Sequence, residues 1–210
     1  MLSQECRITF FNYKKFHSNV LRTIIDARYK FVATDVGSYG REWDVGIFGK
    51  SIMGQQIDDE NFNISTPTIL PDTAILQRYV ILAKDAFTLT TSIMKSYLQN
   101  QSINDHSKAV QNYRHSRSRR ISKNAIGILC QYCRVFFTPI AITPAAAVDV
   151  LISACILQNM IRNSKIPYPN KNTNDILQFP KDNLLGSVPT RARITATQVR
   201  GIFREYFVGD

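Results

Sequence analysis

Long hydrophobic runs, cysteines and, over one long stretch, acidic residues are what this sequence has little of. A membrane-spanning helix needs about 18 to 20 consecutive apolar residues, and the best stretch, Ala145 to Ile161, is interrupted by Asp149, Ser153, Gln158 and Asn159. No membrane span is expected. The first residues, Met1 to Arg7, lack the apolar run of a secretory signal. Four cysteines, Cys6, Cys130, Cys133 and Cys155, are too few and too irregularly placed for a disulfide framework in a chain of 210 residues. Three of them lie in apolar sequence of helical character, so they read as reduced thiols, mostly in a core. An intracellular protein is the expectation these readings share. Between Asp105 and Asp149 there is no acid at all, while Lys108, Arg114, Arg117, Arg119, Arg120, Lys123 and Arg134 fall in that stretch.

The rest of the composition is that of a folded chain. Hydrophobic residues make up 44% and charged residues 20%, well away from the regime of disorder. A chain of this length buries one sizeable core. Lys and Arg number 26 against 16 Asp and Glu, a formal charge of +10 that favours an anionic partner. Nucleic acid is the first candidate and an acidic membrane surface the second.

The first third reads as strands. Val20 to Ile25 and Phe31 to Val36 are β-branched, apolar runs separated by Asp26 to Lys30, which predicts an antiparallel hairpin. Gly37-Ser-Tyr-Gly40 is expected to end the second strand in a turn, and Asp35 to cap that turn. Trp43, Ile47 and Phe48 sit at helical spacing, so a short helix is expected from near Glu42. Gly54 to Asp72, polar and carrying two prolines, reads as loop, and Tyr79 to Ala83 as the next buried strand.

A long helix is expected from about Asp105 to Phe137, with Ile121, Ala125, Ile128, Leu129, Tyr132 and Phe136 on one face. A second helix opens with Thr143 as N-cap and Pro144 at its first position, runs to about Arg162, and is apolar on nearly all sides, which predicts burial. Lys165 to Asn174 reads as a linker, and a last helix opened by a Thr195-x-x-Gln198 capping box reaches Phe207. Residues 1–164 are thus expected to form one domain and residues 165–210 a linker with a C-terminal helix.

Several ordered blocks carry a family resemblance. Phe11-Asn-Tyr-Lys14 with His17-Ser18, Val36 to Arg41 with Asp44, Asp85-Ala-Phe87 with Leu89, Tyr113 to Leu129, Ala154 to Asn159, and Tyr206-Phe207 follow one another along the chain. In this order they resemble the blocks of the PIF/Harbinger-type transposase, a DDE superfamily endonuclease. The resemblance implies an α/β, RNase H-like mixed sheet flanked by helices. It also implies cutting and joining of DNA by clustered carboxylates that hold Mg²⁺ or Mn²⁺.

Those carboxylates are largely replaced. The family's first aspartate lies on a strand ahead of the Asn-Tyr-Lys block, and this chain begins only about ten residues before that block with no Asp-Gly-Thr-like segment, so the first strand and its ligand are expected to be missing. Lys84 stands where the second ligand belongs, two residues before Ala86, and Lys123 precedes Asn124-Ala-Ile-Gly127 where a glutamate belongs. Asp44 matches the family's accessory aspartate. Asp85 is one residue out of place, and on a strand a shift of one residue aims a side chain at the opposite face. Asp44 and Asp85 are the remaining candidate metal ligands, and two ammonium groups beside them would oppose a divalent cation, so metal binding is expected to be weak or lost.

On the long helix, Ser116, Arg119, Lys123 and Gly127 share the side opposite the Ile121, Ala125, Ile128 and Tyr132 stripe. Lys108, Arg114, Arg117, Arg119, Arg120 and Lys123 are the candidate nucleic-acid contacts, set against the plainer reading of a solvated basic face. Cys130-Gln-Tyr-Cys133 is a lone CxxC inside an amphipathic helix and reads as core. His17, His106 and His115 have no spacing that suggests a ligand set. The expectation is a catalytically inactive, transposase-derived nuclear protein that binds DNA or a protein partner. The alternative is an active metal-dependent endonuclease, and a decaying transposon copy is a third reading. The resemblance further implies a separate Myb-like DNA-binding protein as partner.

Overall fold

The two β-branched runs pair as predicted. In the computed structural model, which describes residues 18–39, 48–164 and 194–209, β1 (Asn19–Ile25) and β2 (Phe31–Tyr39) form an antiparallel hairpin with Thr23 opposite Thr34. The second strand does not stop at the glycine. Leu21 faces Val36 and Val20 faces Ser38, so Gly37 is the extra residue of a β-bulge, at φ 109, rather than the start of a turn. A Cβ there would meet Val148 at an ordinary 3.6 Å, so it is the backbone that requires glycine. Asp35 does not cap a turn either. It faces Arg22 across the ladder and accepts a hydrogen bond from the Arg22 Nε at 3.0 Å.

After a helical turn at residues 48–50, α1 (Ile52–Asp58) occupies sequence read as loop. Ser51 caps it, its hydroxyl accepting from the Gly54 amide at 3.0 Å, and Met53 and Ile57 are buried. Gly54 lies so close to the Phe48 carbonyl that a side chain there would collide with backbone. The helix expected from near Glu42 falls largely outside the described residues. Two short strands, β3 (Thr68–Ile69) and β4 (Leu76–Gln77), pair antiparallel, and β5 (Ile81–Leu82) pairs parallel with β6 (Ile93–Met94). The buried strand predicted over Tyr79 to Ala83 is therefore two residues long and half-buried, and Tyr79 is exposed.

A four-residue helix, α2 (Gln99–Ser102), precedes α3 (His106–Tyr132), which ends before the predicted Phe137 because Cys133 leaves helical geometry and a 3-10 turn, Arg134–Phe137, follows. The N-terminus of α4 (Pro144–Asn163) is as read, the Thr143 hydroxyl accepting from the Ala146 amide at 3.3 Å. Its burial is not. Ala154, Cys155 and Gln158 are buried, while Ile152, Ile156, Leu157 and Met160 are exposed. By length and composition alone this 20-residue helix would be long and apolar enough to cross a membrane, which corrects the expectation of no such segment. The last helix in sequence, α5 (Ile194–Gly209), begins one residue before Thr195, which thus lies inside the helix instead of capping it.

The chain divides into two compact units, each built from two stretches. One takes Met1–Trp43 with Arg120–Pro180, the other Asp44–Arg119 with Lys181–Asp210, so α5 groups with the central stretch. In the first unit, Phe31, Leu129, Ala154 and Cys155 form the core, flanked by Ile25, Cys133 and Phe136. Side-chain amides of α4 fasten the hairpin onto it. Asn159 accepts from the Phe31 amide at 2.8 Å and donates to the Phe31 carbonyl at 2.9 Å, pairing with the backbone as a strand residue would. Gln158 donates to the carbonyls of Tyr29 and Ala125, both at 3.2 Å, tying the hairpin and α3 to α4. Tyr29, at φ 63, is held in the left-handed region by the Asp26 carboxylate bonded to the amides of Arg28 and Lys30, and the Arg162 guanidinium lies 5.6 Å over its ring.

The second unit uses the same device. Asn112 of α3 accepts from the Tyr97 amide at 2.7 Å and donates to the Tyr97 carbonyl at 3.1 Å. Met53, Ile57, Leu89, Ile93, Met94, Tyr97 and Ala196 are its buried apolar residues, and Phe48 meets Phe87 edge to face at 5.0 Å. Among the described residues the strands thus form three separate two-stranded sheets alongside the helices, a mixed α/β arrangement.

Candidate nucleic-acid interface

Helix α3 carries the candidate contacts, and its first turn shows why it starts where it does. Asp105 accepts from the Lys108 amide at 3.2 Å and from the Ser107 hydroxyl at 2.6 Å, an N-cap with its negative charge at the positive end of the helix. The Lys108 ammonium sits 2.8 Å from the same carboxylate and 5.7 Å from the Tyr97 ring centre. Hydrogen bonds from Lys108 and then Ser107 hold the Asp105 carboxyl well below the usual carboxylate range. Lys108 is therefore committed to the cap and poorly placed to serve a phosphate.

The buried side of α3 coincides only in part with the expected stripe, of which Ala125 and Leu129 are buried. Gln111, His115, Ala125, Leu129 and Cys130 are buried, so the inward stripe includes two polar side chains, and Ile121 and Ile128 are only half-buried at its margin. Gln111 donates to the Met94 sulfur at 3.5 Å and the His115 Nε2 is 3.3 Å from the Met94 carbonyl. This turns the helix relative to the predicted orientation. Arg119, expected to point away from the core, is half-buried and partnered, while Arg117 and Arg120 are exposed. Ser116 and Lys123 are exposed as predicted, and Gly127 is half-buried. Arg114 is exposed, and its guanidinium lies 5.5 Å over the Phe207 ring of α5.

The outward side then reads Tyr113, Arg117, Arg120 and Asn124, at spacings of four, three and four residues, all exposed, with Ser116 and Lys123 beside them. No acid lies on this helix at all. Such a surface offers guanidinium and ammonium groups to an extended polyanion. Reading the sequence missed Tyr113 as part of this face. The available signal was an aromatic residue four positions before Arg117 in an acid-free helix.

The degenerate metal positions are less coherent. Lys84 is exposed and partnered, and Lys123 is an exposed amine on α3. Asp85 lies in a turn after β5, so strand alternation does not fix its direction. Its carboxylate accepts the Ser96 hydroxyl, and its carbonyl accepts from the Lys95 ammonium at 3.1 Å. Burial pulls the Lys95 ammonium below its ordinary value, Asp85 opposing this and Arg200 adding to it. Asp44 lies outside the described residues. Among the described residues no three His, Cys, Asp or Glu side chains converge as a metal cluster. Around Asp85 the described groups are the Ser96 hydroxyl and the Lys95 ammonium, and a carboxylate engaged in this way is a poor ligand for a divalent ion.

The thiols behave as core. Cys130 and Cys155 are buried and Cys133 half-buried, all three free, and burial raises each above its usual value, Cys155 to about 11. Such thiols are poor nucleophiles and poor ligands. His17 lies outside the described residues and His106 is exposed. Burial pushes the His115 imidazole below its ordinary 6.5, against the Met94 hydrogen bond, with Arg119 adding to the depression and Asp85 opposing it. The unfolded chain then takes up a proton that the folded one refuses, so His115 contributes stability above pH 6.5 that is lost as pH falls below it. Urea midpoints measured between about pH 7 and about pH 5 should fall with acidification in the parent, and less steeply in His115→Gln. An unchanged slope would remove His115 from the account.

Comparison with known proteins bears out the superfamily to which the ordered blocks point. Neither the curated proteins nor the solved structures give a match to this chain. A family profile described as DDE superfamily endonuclease matches residues 3–159, which takes in the hairpin, α1, the short strands, α3 and α4 as far as Asn159. Nucleases of this kind act on DNA and typically use a divalent metal. The chain belongs to the DDE superfamily endonuclease family.

Proposed function

We propose that this is a transposase-derived nuclease domain of the PIF/Harbinger type, RNase H-like in architecture, that no longer cuts DNA and still holds it. The observation that carries the reading is the outward face of α3, where Arg117 and Arg120 stand exposed on a helix without a single acid. Lys84 and Lys123 support the loss of cleavage, since they occupy the places of two carboxylates and cannot ligate a cation while protonated. A net charge of +10 draws the chain toward DNA in any register. Action on DNA suits the nucleus, and the family resemblance adds a Myb-like DNA-binding protein as partner.

Binding of this sort is dominated by counterion release. Affinity for a random duplex, followed by fluorescence anisotropy, should fall log-linearly with salt, with a slope of about 0.9 for each phosphate neutralised. Engagement of Arg117, Arg120 and Lys123, the cations of the outward face, gives a slope of about 3. Affinity that is insensitive to salt would overturn the reading.

A further inference from the structure

We propose that Tyr113 is a stacking platform for an unpaired base, so that the outward face of α3 prefers single-stranded DNA to duplex. This rests on the DNA-binding reading above and names the form of DNA that the face takes. Tyr113 is 59% exposed, far more than a tyrosine on a packing face. Nothing among its described contacts covers it except Arg117, one turn on, whose guanidinium lies 5.7 Å from the ring centre and donates to the phenol oxygen at 3.5 Å. The ring is thus propped from one side by a cation and free to receive a flat partner on the other.

The neighbours supply what a strand needs beyond one base. Arg117 and Arg120 lie about 6 Å and about 10 Å further along the helix axis, on the same outward side, where they can meet the phosphates flanking a stacked base. Aromatic rings interleaved with cations are the means by which proteins hold single strands without reading sequence, because every base presents a π face. A base paired within a duplex is stacked on its neighbours and cannot lie on this ring. The plainer alternative is a surface Tyr and Arg pair at helical spacing that touches no ligand, worth a few tenths of a kcal/mol to the helix.

The two are separated by measuring anisotropy with a fluorescein-labelled 12-nucleotide single strand of mixed sequence and with the matching 12-base-pair duplex. The parent protein, Tyr113→Ser and Tyr113→Phe are compared, each checked for helix content by circular dichroism. Tyr113→Ser should weaken single-strand binding by about 5- to 100-fold, the range for one stacked base. It should leave duplex affinity and both salt slopes within about twofold of the parent, since no phosphate contact is removed. Tyr113→Phe, which keeps the ring, should bind the single strand as the parent does. Unchanged single-strand binding by Tyr113→Ser, with salt-dependent binding otherwise intact, would overturn the platform and leave the phosphate reading standing. Absence of salt-dependent binding to either DNA by the parent would overturn both.

Discussion

Replacing Asn159 by alanine should lower the stability of the fold by about 2 to 4 kcal/mol, a large part of the 5 to 15 kcal/mol typical of a domain. The Asn159 amide is bonded through both its oxygen and its nitrogen to the backbone of Phe31, the first residue of β2, which is itself 6% exposed. Alanine would take these partners from a part-buried amide and a part-buried carbonyl, and a fully orphaned group costs about 1 to 3 kcal/mol. Asn159→Asp is a sharper test. It keeps the acceptor for the Phe31 amide but sets an oxygen against the Phe31 carbonyl, so aspartate should be no better tolerated than alanine despite its near-identical shape. Urea unfolding followed by circular dichroism reads the loss. A cost under about 0.5 kcal/mol, the level of an ordinary surface substitution, would show that the hairpin does not depend on this clamp.

The largest effect on binding should come from Arg117→Ser with Arg120→Ser. Both side chains are exposed, so the double variant should remain folded, and each charge-assisted hydrogen bond to phosphate lost costs roughly 1.5 kcal/mol. Duplex affinity at low salt should drop on the order of 100-fold, uniformly across sequences, and the salt slope should shrink by about 2. Arg119→Ser is the informative contrast. Half-buried and already partnered, Arg119 should cost stability through its lost stem packing and change the salt slope little. If Arg119→Ser lowers the slope and the Arg117 and Arg120 pair does not, the helix presents a different face to DNA from the one described.

That contrast marks where the sequence could be read and where it could not. The hairpin was legible because β-branched residues crowd both strands, and the start of α4 because Thr143 and Pro144 are the residues a helix N-terminus demands. The orientation of α3 was not, since the inward face is partly made of polar side chains, Gln111, whose amide nitrogen donates to the Met94 sulfur, and His115, 3.3 Å from the Met94 carbonyl. In α4 the reverse holds. Residues apolar all round predicted burial, yet burial depends on what packs there, and Ala154, Cys155 and Gln158 are buried while Ile152, Ile156, Leu157 and Met160 are exposed. At Gly37 the sequence shows a special backbone position but not its kind, because a glycine with positive φ serves a bulge as well as a turn, and only the register of β1 against β2 decides between them. Of the candidate site, the lysines at 84 and 123 were plain in the sequence. The commitment of Lys108 to Asp105, and of Asp85 to Ser96, required distances.

Binding without cleavage is the central claim, and one gel tests both halves of it. Supercoiled plasmid is incubated with the purified chain in Mg²⁺ or Mn²⁺ at low salt, and each sample is run with and without a proteinase step that strips the protein off. The account predicts retarded DNA before stripping and fully supercoiled DNA after it. Nicked or linear plasmid that appears only with the metal, and disappears in Asp44→Ala, would contradict it.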